Sequence, residues 1–403
     1  MGRRVVITGV GPVSSIGVGV HAFTDALRQG RSGTAELADT GFAGFPTRYA
    51  GAVTGFDPST VVERLAPGQW GRASLFGAAA ARLAVRDADL DPARLPRHRA
   101  GVCMGTTGGE SHLVDRGTAR WIAEGLDHLD PDLARRLPTS RIADAVVREL
   151  AWGGETMTFT SACAAGNYAL GHAYDAVVHG DADYMIAGGA DSLSRWGYAG
   201  FHRLGAMAAR VCAPFDRDRD GMLLAEGGAA VLLEPLESAR SRRARIYAEV
   251  LGYGLSCDAT HMIAPDADGM ATAMRRAHRN AGVAADEIDY ICAHGTGTPA
   301  NDAAEWRAVL DVFGAGPPPT SSVKSMLGHT LGAASAFGVL ACAVGLAEGF
   351  LPPTAHHRHP DPALHHLDPV PGRGRPARLR RVQNNGFAFG GNNAVAVLGR
   401  AER

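Results

Sequence analysis

Two stretches of this chain read as one unit used twice, and that repetition constrains the fold more than any other feature. MTFTSACAAGNYALGHAY (157–174) runs from an apolar strand through a sharp turn into a helix of small residues. PTSSVKSMLGHTLGAASAFG (319–338) does likewise. Each puts reactive side chains at the end of its strand: Cys163 in the first, Lys324 and His329 in the second. Around them short β-branched runs alternate with longer helical patterns, which predicts an α/β protein with mostly parallel sheets. A duplicated α/β half around a shared site accounts for the pattern. The mildest break is the Arg-rich ESARSRRARI, so the expected division is residues 1–245 and 246–403.

The expected strands are RRVVITG, AGVCMGT, MTFTSA, YMIAGGA, AAVLLE, YAEVLGYG, YICAHGT, PTSSVKS and AVAVLG. Helices are expected at Ser74–Asp87, Ala164–Val178, Gly269–Ala281, Ala303–Leu310 and Gly332–Leu346. The uncharged run Leu331–Ala347 is rich in Gly, Ala and Ser and short for a membrane span, so it reads as a buried helix. The basic, apolar N-terminus is broken early by Gly and Pro and reads as a first strand, not a signal peptide.

Composition narrows the function. A net charge of −1 lacks the basic excess of a nucleic-acid binder. Six scattered cysteines without a CxxC pair suit a reducing cytoplasm. The histidines of Pro352–Pro376 (His356, His357, His359, His365, His366) have no zinc spacing, so a solvated loop is expected and no metal. Of 40 basic residues one is Lys and 39 are Arg, which first suggests codon bias. Arg cannot replace a compact ammonium in a confined site, so Lys324 is a place to look for chemistry.

GVGPVSSIG resembles a dinucleotide loop, but Ser14 stands at the third glycine position. Ser321–Lys324 fits S-x-x-K, yet a chain with one lysine cannot supply the accompanying KTG. Cys163 follows a strand and opens a helix, where the helix N-terminus favours a thiolate and offers N–H groups to an anion. His294 follows the apolar strand YICA and precedes Gly and hydroxyl residues, a placement suited to an α/β site. With His329 these residues make a Cys/His/His set and a lysine beside it.

These residues resemble the β-ketoacyl-acyl carrier protein synthases, condensing enzymes of the thiolase fold. The likeness runs through VVITGVGPVSSIG, TSACAAG, YMIAGGADS, CAPFDRDRDGMLLAEGGAAVLLE, HGTGTPANDAAE, VKSMLGHTLGAA and NNGFAFGGNNA. It implies two duplicated α/β halves in a five-layered α-β-α-β-α core and a dimer, homomeric or between two ketosynthase chains. It implies decarboxylative condensation of a Cys-bound acyl group with malonyl-acyl carrier protein, without redox or nucleotide cofactor. By resemblance Cys163 is the nucleophile, and His294 and His329 hold the malonyl carbonyl. Lys324 balances charge and orients the second histidine. The N–H groups of Cys163 and Phe389 form the oxyanion hole. Thr296 and Thr298 bind the phosphopantetheine arm, with Phe387 and Phe389 beside it. The family's glycine between these phenylalanines is Ala388 here, its Thr or Ser before the final Asn is Asn392, and the segment Leu204–Cys212 is short. These departures lean toward a polyketide or specialised lipid pathway. Arg72 and Arg203 are candidates to dock the acidic carrier. The competing expectation is a chain-length-determining subunit that pairs with an active ketosynthase.

Overall fold

The computed structural model describes residues 2–38 and 40–401. Ten strands carry the fold: β1 (Val5–Ser14), β2 (Ala100–Gly105), β3 (Thr156–Phe159), β4 (Tyr184–Asp191), β5 (Gly227–Pro235), β6 (Ala248–Cys257), β7 (Tyr290–Cys292), β8 (Thr320–Ser321), β9 (Arg381–Phe387) and β10 (Asn392–Gly399). Six helices pack on them: α1 (Arg72–Asp87), α2 (Arg141–Leu150), α3 (Ala165–His179), α4 (Ala267–Ala281), α5 (Pro299–Phe313) and α6 (Ala334–Glu348). The strands hydrogen-bond in the order β8-β7-β9-β10-β6-β1-β5-β4-β2-β3.

One topology occurs twice in that order. Within β1–β5, the first strand is antiparallel to the fifth and the fifth to the fourth, while the fourth is parallel to the second and the second to the third. Strands β6–β10 repeat this pairing by pairing. The two sets join where Val5–Ile7 of β1 run antiparallel to Ala248–Val250 of β6. Parallel pairing is thus confined to the outer strands, and the expectation of mostly parallel sheets is corrected. Only Ala388–Gly391 separate β9 from β10, and so short a connection admits only antiparallel neighbours.

Helices α1 and α2 cover the outer face of the first set, α4 and α5 that of the second, and α3 and α6 lie between the two. This is the five-layered thiolase-like arrangement. The two inner helices touch almost backbone to backbone: a Cβ on Gly166 would stand 2.5 Å from the Ala336 nitrogen. Small residues at such crossings are what let both sheets close over one middle layer. Every residue from Ala334 to Leu346 is buried, so the apolar run that passes for a membrane span by composition is the core of the fold.

The duplicated unit is visible in its turns. Ala162 and Leu331 both have left-handed backbone (φ 47° and 52°), each opens a 3₁₀ turn, and each turn feeds an inner helix. By that alignment the counterpart of Cys163 is Gly332, not Lys324 or His329. Nor does Lys324 stand on a strand. β8 is only Thr320–Ser321, and Lys324 begins a single helical turn, Lys324–Leu327.

Candidate active site

Cys163 is 5 % exposed and lies on a turn, two residues ahead of the first residue of α3. It lines a cavity of about 470 Å³ together with His294, His329, Thr296, Thr298, Phe387 and Phe389. All the expected site side chains except Lys324 therefore share one chamber. Leu204, Gly205 and Ala206 of the short segment form part of its wall, as does the loop from His261 to Pro265. The Phe389 ring packs 5.8 Å from that of Phe201 at this wall. Ala388 has extended backbone (φ −124°, ψ 153°), which an alanine adopts without strain.

The two imidazoles stand 5.5 Å apart, edge to face at 80°. The Leu331 N–H donates to His329 Nδ1 at 3.0 Å, so the His329 proton is carried on Nε2. Burial holds both histidines well below the ordinary imidazole range, and the Lys324 charge adds to the effect. Both are neutral at neutral pH. Burial also pushes the Cys163 thiol up to about 12, against the pull of Lys324. The expectation that the helix N-terminus favours a thiolate is thus overturned: desolvation outweighs the dipole in so closed a site.

Lys324 is 4 % exposed and sits behind the chamber. Its Nζ donates to the His294 carbonyl, so it holds the first histidine rather than the second. The peptide N–H of His294 donates to Glu305 Oε1 at 2.8 Å, and Gly295 N–H donates to Oε2 at 2.7 Å. His294 is therefore clamped by a cation on its carbonyl side and a carboxylate on its amide side. Asp302 does the same for the next turn, accepting from Thr296 N at 3.1 Å and Gly297 N at 3.2 Å. Sequence reasoning missed both acids. Their signal was present, since residues 302 and 305 lie three apart on α5 and so share one helix face.

Asp191, at the end of β4, was missed too. It accepts from Gly332 N (2.7 Å), Thr107 N (2.8 Å), Gly108 N (2.9 Å) and the Thr106 hydroxyl (2.8 Å). Its carboxylate thus fills the helix-entry turn that corresponds to the turn of Cys163. Of the two docking candidates, Arg72 is committed elsewhere. Its guanidinium grips Glu226 at 2.5 and 2.9 Å and the Val53 carbonyl at 2.9 Å. Arg203 is exposed and ends the helix Arg195–Arg203, which carries the cavity-lining Phe201. Among the described residues, Asp216, Asp218 and His359 are near enough together to hold a cation. The Asp216 carboxylate already takes the N–H groups of Arg358, His359 and Asp218, which accounts for the group as a brace of the His-rich segment.

The β-ketoacyl synthase N-terminal domain family matches residues 2–239, and its C-terminal domain family matches residues 247–358. The chain belongs to the β-ketoacyl synthase family. It is 36% identical to the 3-oxoacyl-[acyl-carrier-protein] synthase 2 of Coxiella burnetii, over 99% of both chains. It is also 36% identical to the tetracenomycin polyketide synthase ketoacyl synthase alpha subunit of Streptomyces glaucescens, over 99% of this chain and 97% of the other. Among solved structures, the ishigamide ketosynthase/chain length factor superposes with a TM-score of 0.97 at 47% identity, over the whole of both chains. This synthase is accordingly an acyltransferase. It condenses an enzyme-bound acyl group with a decarboxylating malonyl thioester in fatty-acid or polyketide biosynthesis.

Proposed function

We propose that Cys163 is the residue acylated, that His294 and His329 act on the malonyl thioester, and that the pathway is of the type II polyketide kind. The observation that carries this reading is the single chamber shared by one thiol and two neutral imidazoles. In the first step the Cys163 sulfur attacks the carrier-bound acyl thioester, and its proton leaves with the departing pantetheine thiol. The backbone N–H groups of Cys163 and Phe389 face the oxyanion as it develops. In the second step malonyl-acyl carrier protein loses CO₂. His329 Nε2–H and His294 stabilise the resulting enolate oxygen, and a dry site strengthens those hydrogen bonds. The enolate carbon attacks the acyl-Cys163 carbonyl, the C–S bond breaks, and the thiolate regains a proton from water. Thr296 and Thr298, whose hydroxyls lie 2.9 Å apart on the cavity wall, hold the pantetheine arm, and Phe387 and Phe389 flank it.

The carrier is an acidic acyl carrier protein, with Arg203 at the docking rim. The enzyme works in the cytoplasm as a dimer, and the two halves divide near residues 245 and 246. The resemblance to a ketosynthase/chain length factor supports a partner that is itself ketosynthase-like. Intact-protein mass spectrometry after incubation with acyl-acyl carrier protein tests the central assignment. One acyl increment on Cys163 is expected, and none on Cys163→Ala. No adduct, with condensation retained by a companion chain, would instead make this a chain-length-determining subunit.

A further inference from the structure

A continuous file of buried side chains crosses the second set of strands and ends on the catalytic peptide. It begins at His278, which is 6 % exposed on α4 with its ring edge-on to Phe313 at 5.5 Å. His278 Nε2 meets Gln383 Oε1 at 2.6 Å, and Gln383 Nε2 donates to Asn385 Oδ1 at 2.7 Å. Asn385 Nδ2 then donates to Glu305 Oε1 at 2.9 Å. The same oxygen accepts the His294 N–H. Gln383, Asn385 and Glu305 are buried to within 2 % of full exclusion.

The direction of this file is fixed by its members. Gln383 uses its NH₂ toward Asn385, so its carbonyl faces His278, and His278 must present Nε2–H. Each donor therefore points the same way, toward Glu305. Burial raises the Glu305 carboxyl above its usual range, and the donors of Gly295, Asn385 and His294 pull it back toward the anion. The charged groups that face Glu305 are Lys324, which favours its anion, and Asp302, which opposes it. Aligned amides tip that balance, since bonds in a chain polarise one another in a low dielectric. The two ends of the His294 peptide are then held by opposite charges, Glu305 on the amide and Lys324 on the carbonyl.

We infer that His278 and Gln383 are positioning residues for the malonyl step, acting through Asn385 and Glu305 to fix the His294 peptide. Neither touches the chamber, and α4 lies on the outside of the five layers. The inference rests on the assignment of His294 to the malonyl thioester. Cys163 is bonded to no member of the file, so acyl transfer to it does not depend on these bonds.

The test separates the two half-reactions in the full-length enzyme. Release of CO₂ from malonyl-acyl carrier protein is measured beside the mass increment on Cys163 from acyl-acyl carrier protein. His278→Leu removes the first donor, and decarboxylation is expected to fall about tenfold, the effect of losing one hydrogen bond that supports a buried charge. Acylation of Cys163 stays within twofold of the parent. His278→Gln restores an N–H at similar reach and brings decarboxylation back to within about threefold. Gln383→Met keeps side-chain length without either amide group and must show the same split, which covers the case in which His278→Leu does not fold. Equal loss in His278→Leu and His278→Gln, a parallel loss of acylation, or unchanged decarboxylation in the folded variants would overturn the inference. Undiminished CO₂ release in His294→Ala would instead overturn the assignment on which it rests.

Discussion

At the scale of single residues, the site is organised by one ammonium. Lys324 holds the His294 carbonyl, and its charge helps keep both imidazoles neutral while drawing the Cys163 thiol back toward ionisation. The neutral histidines have a measurable cost. Below about pH 6.5 an unfolded chain binds protons on imidazole that the folded, desolvated rings refuse. Stability is therefore complete above that pH and is lost as pH falls through it, by about 1.4 kcal/mol per pH unit for each such ring. His294→Asn removes one of them. Urea unfolding between about pH 6 and pH 5 should show a stability slope shallower than the parent's by that amount. An identical slope would mean that His294 is protonated in the folded protein.

At the scale of elements, the two helix-entry turns share a backbone and differ in what they admit. The first carries a side chain at Cys163. In the second, a Cβ on Gly332 would stand 2.5 Å from the Thr107 nitrogen and closer still to Thr106, while Asp191 occupies its N–H. Gly332→Ala should destabilise by about 1–3 kcal/mol, since only backbone movement relieves the overlap. A denaturation midpoint within error of the parent would contradict the packing described. The same elements show what was legible in advance. Nearly all the expected strands and helices exist, because β-branched runs and small-residue helices announce themselves locally. Strand β9 did not, because RVQNNGF turns Gln383, Asn384 and Asn385 into a buried polar network and so lacks an apolar strand's composition. The helix α2 had a clear apolar face, with Ile142, Ala145, Val146 and Leu150 buried, and was readable but overlooked. Cys163, His294 and His329 could be found because their motifs are contiguous. Glu305 was readable from the face it shares with Asp302 on α5, whereas Asp191 acts by accepting backbone N–H groups from distant turns, and no local pattern reports that.

At the scale of the whole molecule, the middle layer makes each half depend on the other. Helix α3 comes from the first half and α6 from the second, and both touch both sets of strands. Residues 1–245 and 246–403 expressed separately are expected to lack cooperative unfolding and to bind hydrophobic dye, because each leaves an apolar sheet face open. Co-expressed, they should co-purify and regain acylation at Cys163. A first half that unfolds cooperatively by itself would show that the interior needs no second contribution. The order of synthesis then acquires a consequence. Helix α3 ends at His179 and α6 starts at Ala334, with 154 residues between them. At about 5–20 residues per second the ribosome needs about 10–30 s to cross it. For that interval the nascent first half presents an unfinished interior, which makes it a client for chaperones that shield apolar surface until α6 emerges.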